Sequence, residues 1–96
     1  MNRYVLAPAA RHDLQEIQAY IAQNNVQAAR KVIAELKAAF DRLADNPRLG
    51  HPREDITDQP VLFWPVHAYS VIYRPHVKPL AIVRVLHSAR DIPNLL

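Results

Sequence analysis

The sequence predicts an α+β domain in the order β-α-α-β-β-β. A helix hairpin packs on one face of a small, mainly antiparallel sheet, and a short C-terminal tail follows. Three observations carry this. Apolar residues recur at helical spacing through the first 45 positions, three β-prone runs lie between 61 and 87, and prolines and asparagines mark the boundaries. Ninety-six residues, 50% hydrophobic and 22% charged, make a single globular domain, residues 1–96.

Each element has a local reason. Arg3-Tyr4-Val5-Leu6 is a short β-prone run. Pro8 suits a first helical position, where its missing N–H costs nothing, although Ala7 offers no capping oxygen. Ala10, Leu14, Ile17 and Ile21 form one face of a helix expected from Pro8 to Gln23. Asn24 is placed to close it in a left-handed conformation, and Asn25 to cap the next helix. That second helix carries Ala29, Val32 or Ile33, Leu36, Phe40 and Leu43 as its stripe and stops at Asp45-Asn46-Pro47. So short a connection makes the pair an antiparallel hairpin.

Residues 46–60 form the one long irregular stretch, with the only glycine, Gly50, expected at a turn of positive φ. Val61–Trp64 then reads as a strand ended by Pro65, Ala68–Arg74 as a second, and Leu80–His87 as a third. The third is apolar on both faces except at Arg84, so it belongs in the centre of a covered sheet. Ser88–Leu96 has room for one helical turn, limited by Pro93.

Composition narrows the function classes. With no cysteine there is no disulfide framework and no thiolate metal site, and the histidines show neither HxxxH nor HxH spacing. No metal and no cofactor are expected. The N-terminus has no apolar core of signal-peptide length and no window suits a membrane span, so a soluble, cytoplasmic protein is expected. Residues 1–59 balance eight Lys/Arg against eight Asp/Glu, whereas 60–96 set Arg74, Lys78, Arg84 and Arg90 against Asp91 alone. The basic excess lies in the C-terminal part, which suits an acidic partner or simply solubility.

Three stretches carry a family resemblance: L-x-P-x-A-x-x-D-L-x-x-I-x-x-Y-I-A at 6–22, NPRLG at 46–50, and Tyr73 followed by VRVLHSARD at 83–91. In that order and layout the chain resembles the ParE toxins of the RelE/ParE toxin–antitoxin superfamily, over nearly its whole length. The resemblance implies a growth-inhibiting toxin of a type II system, associated with plasmid stabilisation. It also implies inhibition of DNA gyrase by binding, neutralisation by a ParD-like antitoxin, and a toxin–antitoxin hetero-oligomer. No direct sequence-specific nucleic-acid binding is expected. RelE-like relatives instead cleave mRNA on the ribosome with basic, His and Tyr side chains, which is the alternative function. Ala7 in place of a polar cap and the proline in RDIPNLL depart from the family pattern.

An RNA-cleaving site needs a base, an acid and a cation on the phosphate. His87, Arg84 and Arg74 are the candidates. Positions 84 and 87 differ by an odd number, so a regular strand sends them to opposite faces. His87 would then sit with Val83 and Val85, and Arg84 with Ile82 and Leu86. No glycine marks a bulge in this run. No catalytic residue is therefore expected; His87 reads as a strand-end ring satisfying a backbone group. Arg84, flanked by apolar residues, needs Asp91, Glu54, water or a partner protein. Arg90-Asp91 reads as a local pair, and solvation is the simplest role for Arg74. Tyr69 and Tyr73 share a face with Val71, as core residues do. For target contact the candidates are Arg74, Arg84 and Arg90. For the antitoxin they are Ile17, Ile21, Leu36, Phe40, Trp64, Leu95 and Leu96, met by an apolar helix or strand.

Overall fold

The β-prone start and the central apolar run find each other across the chain. In the computed structural model, which describes residues 3–90 and 92–96, β1 (Tyr4–Leu6) lies parallel to β4 (Leu80–His87), with Tyr4 opposite Leu80 and Leu6 opposite Ile82. Between them come α1 (Pro8–Ala22), α2 (Val26–Asp45), β2 (Leu62–Val66) and β3 (Tyr69–Arg74); α3 (Ile92–Leu95) closes the chain. The sheet order is β1-β4-β3-β2, one parallel pairing and two antiparallel ones. The predicted architecture is observed, and β4, apolar on both faces, is interior as its composition required.

Both helices begin where the sequence set them. Ala7 gives α1 no side-chain cap, whereas the Asn25 side chain accepts the Ala28 amide at 3.0 Å and caps α2. Asn24 is not left-handed. Among the described residues the only non-glycine with positive φ is His67, at 54°, in the tight turn between β2 and β3. The α1–α2 connection is closed instead by the Asn24 and Asn25 amides, which both donate to the Ile21 carbonyl.

Two apolar layers follow. On one face of the sheet Leu14, Ile17, Leu36, Phe40 and Leu43 from the hairpin pack against Val71, Tyr73, Ile82 and Val85. On the other, Val61, Phe63, Ile72 and Leu86 are covered by Ile92, Leu95 and Leu96 of the tail and by Ile56 of the 46–60 loop. The tail is thus the second cover of a sheet that would otherwise face water.

Three expectations need correction. Gly50 does not have positive φ; its lack of a side chain is steric, since a Cβ there would lie 2.6 Å from the Tyr73 hydroxyl and 2.9 Å from the Phe63 carbonyl oxygen. The buried Tyr73 hydroxyl accepts the Gly50 amide at 2.8 Å and donates to the Pro47 carbonyl at 2.6 Å, which pins the loop to the sheet. Pro65 does not end a strand but lies inside β2, opposite Ser70. The outer edge of β2 exchanges both backbone bonds of Phe63 with His51, so the next outward position is Pro65, where no N–H is needed. Finally, β4 is bulged: Ile72 faces Arg84 but Tyr73 faces Ile82, leaving Val83 without an opposite residue. The bulge turns Ile82 and Val85 to the helix side together, and Val83 and Leu86 to the other. His87 therefore keeps Val85 but not Val83 as a companion, and Arg84 keeps Leu86 but not Ile82.

Candidate functional site

The parallel pairing of β1 stops at Ile82, so the second half of β4 has no strand on that side. Helix α1 fills part of the space. The buried carboxylate of Asp13 accepts the Val85 amide at 3.0 Å and receives both Nε and Nη2 of Arg84, at 2.8 and 2.9 Å. The third donor, Arg84 Nη1, bonds the Leu95 carbonyl at 2.7 Å. Paired hydrogen bonds from a guanidinium to a carboxylate are among the strongest polar contacts available to side chains. The Asp13 bonds raise the Arg84 pKa, so its charge is fixed at any physiological pH. One side chain thus ties β4, α1 and the tail together. Of the two intramolecular partners expected for Arg84, Glu54 is not bonded to it, and Asp91 lies outside the described residues.

Because the bulge precedes Arg84, positions 84 and 87 remain on opposite faces. His87 stands exposed at the end of β4 on the helix side, edge-on to Tyr69 at 5.5 Å between ring centroids. Its Nδ1 accepts the Ala89 amide at 3.1 Å. A neutral ring held this way carries its proton on Nε2 and presents a donor, not a base, to the solvent side. Burial, with a smaller contribution from Tyr20, pushes the Tyr69 phenol up, which also disfavours it as a base.

Around His87 a groove of about 410 Å³ opens between α1 and the strand ends, walled by Ile17, Tyr20, Tyr69, Val85 and Arg90. Tyr20 is 71% exposed, and Arg90 is exposed with no ion pair among the described residues. Arg84 does not line the groove. Arg74 lies at the other end of β3, opposite Ala81, whereas Tyr69 is opposite His87. Five residue steps separate these ends, about 17 Å along the strand. The three arginines do not form one patch.

The apolar candidates divide by burial. Leu36 and Phe40 are fully buried and offer no surface to a partner, because they are the residues with which α2 meets the sheet. Ile17 is buried but borders the groove, and Ile21 is half-buried. Trp64 is half-buried on β2 with the Arg42 guanidinium 5.6 Å from its ring centre. Leu95 and Leu96 pack on the second apolar layer. Among the described residues no three His, Cys, Asp or Glu side chains come together as metal ligands, and no helix is long and apolar enough to cross a membrane.

Asp13 is a site residue that the strand-based reading does not reach, although the sequence carries its signal. Ala10, Asp13, Leu14 and Ile17 are spaced 3, 1 and 3, a buried helical stripe with a carboxylate inside it. A buried charge demands a buried partner, and the one cation in the central strand is Arg84.

Comparison with known proteins gives a consistent picture. A family model described as the ParE toxin of type II toxin–antitoxin system, parDE, matches residues 4–92. Curated relatives called Toxin ParE1, from two strains of Mycobacterium tuberculosis (CDC 1551 / Oshkosh and ATCC 25618 / H37Rv), are each 32% identical over 97 residues. The match covers 99% of this chain and 98% of theirs. A solved structure described as a chromosomal ParDE TA system from P. aeruginosa superposes with a TM-score of 0.70 over 88% of this chain and 92% of that one. At 18% identity it attests to the fold.

Proposed function

The chain belongs to the ParE toxin family of type II toxin–antitoxin systems, and from that premise we propose that it inhibits DNA gyrase by binding and is neutralised by a ParD-like antitoxin. The observation that carries the binding reading is the Arg84–Asp13 pair. The cation of β4 is spent on a buried carboxylate and a tail carbonyl. The three candidates for an RNA-cleaving site, His87, Arg84 and Arg74, do not line one groove. Arg74 and Arg90 present guanidinium groups free of ion pairs among the described residues, and they serve as the target contacts. Arg84 would support that surface from within. The apolar surface left for the antitoxin comes from Ile17, Ile21, Trp64 and the tail leucines.

A ribosome-dependent mRNA endonuclease is the second reading. It is favoured by one observation, that His87, Arg90, Tyr69 and Glu16 border a common groove. Two assays separate the readings: gyrase supercoiling with the purified protein, and mRNA cleavage in a coupled translation reaction. Gyrase is expected to lose supercoiling activity while mRNA stays intact, and His87→Ala is expected to leave growth arrest unchanged. Intact supercoiling with cut mRNA, abolished by His87→Ala, would establish the nuclease instead.

A further inference from the structure

The groove beside β4 has two properties that the toxin reading does not use. The first is backbone. All of residues 84–87 lie opposite β3, but Ser88 donates to the Ala68 carbonyl, so by alternation Leu86 and Arg84 bond β3 while Val85 and His87 turn their backbone groups the other way. Val85 shows this directly, since its amide points to Asp13 of α1. The Val85 carbonyl and the His87 amide therefore lie toward the open side, where no strand pairs with β4 beyond Ile82.

The second is charge. Of the two carboxylates at the groove, Asp13 is consumed by Arg84, and Glu16 has His12 beside it at 3.7 Å. Arg90 is left as the cation without a counter-charge among the described residues, next to an apolar floor of Ile17 and Val85 and the faces of Tyr20 and Tyr69. An open strand edge, an apolar floor and an exposed cation suit an extended peptide with an apolar side chain near a carboxylate.

We infer that this groove receives an extended segment of the antitoxin. Its backbone bonds the Val85 carbonyl and the His87 amide, its apolar side chain rests on Ile17 and Tyr20, and its Asp or Glu meets Arg90. The inference rests on the toxin–antitoxin reading and assigns the place and chemistry of the contact.

The test uses full-length protein and, as probe, the product of the reading frame adjacent to this chain's own. Affinity is measured by interferometry for wild type, Arg90→Glu, Tyr20→Ala and a charge control, Arg30→Glu, on α2 and not among the residues that line the groove. Thermal unfolding confirms that each variant folds; Tyr20, Arg30 and Arg90 are all exposed. Arg90→Glu and Tyr20→Ala are each expected to weaken binding about tenfold or more, with the control matching wild type. A photo-crosslinker at position 20 is expected to capture the probe. Wild-type affinity in both groove variants, with no crosslink, overturns the assignment while the pairing stands. If wild type itself does not bind the probe, the toxin–antitoxin reading fails and the groove assignment goes with it.

Discussion

Asp13 and Arg84 illustrate how one pair of side chains organises a small fold. The carboxylate is 4% exposed and the guanidinium side chain 20%, so each is partly removed from water and each depends on the other. Removing one partner leaves the other uncompensated. Asp13→Ala is expected to lower stability by about 3 kcal/mol, measured by urea unfolding, and Asp13→Leu with Arg84→Met to recover a large part of it. Tyr73 makes a second such point. Tyr73→Phe orphans the Gly50 amide and the Pro47 carbonyl and is expected to cost about 1–3 kcal/mol. Burial raises the Tyr73 phenol pKa, opposed in part by the Gly50 bond. A folded-state value above the free one means this contribution is complete below pH 10 and is lost as pH climbs through the folded value. Absorbance titration at 295 nm should show a late-ionising tyrosine component that shrinks in Tyr73→Phe, and stability declining over the same alkaline interval. Both residues were half-legible in sequence. Asp13 stood in an apolar stripe, and Tyr73 shared a face with Val71, but no spacing rule links position 13 to 84 or 73 to 50.

Elements were legible where one local rule decided them. The α2 cap, the helix stripes and the interior position of β4 all follow from residues within a turn or two. Asn25→Ala is expected to cost about 1 kcal/mol, again by urea unfolding, as loss of an N-cap bond does. Strand parity puts Arg84 and His87 on opposite faces, as observed, but misplaces Ile82 and Val83, because a bulge at Val83 lies upstream of both. A bulge of this kind needs no glycine, so the sequence carries no mark of it. Gly50 was singled out for its backbone freedom, whereas the demand on it is for empty space, set by Tyr73 and Phe63 from elsewhere in the chain. Gly50→Ala is accordingly expected to destabilise by about 1–3 kcal/mol and to loosen the 46–60 loop, visible as faster amide exchange there.

At the scale of the whole molecule, the basic excess of residues 60–96 is real in the chain but dispersed in the fold. Arg74 ends one side of the sheet, Arg90 borders the groove at the other, and Arg84 is internal. A composition count cannot see this, because strand direction decides which end a residue reaches. If gyrase is contacted at both ends and the antitoxin at the Arg90 end alone, the two contacts overlap at Arg90 and separate at Arg74. Arg74→Glu is then expected to weaken supercoiling inhibition about tenfold while sparing antitoxin affinity. The proline inside β2 has a consequence for the molecule in company. A sheet border with free amides invites other copies to join it and grow into fibres. Here the ring at position 65 and the His51 bridge blunt that border. Pro65→Val would restore the missing donor, and concentrated solutions of that variant should scatter light and bind amyloid dyes where the parent stays clear.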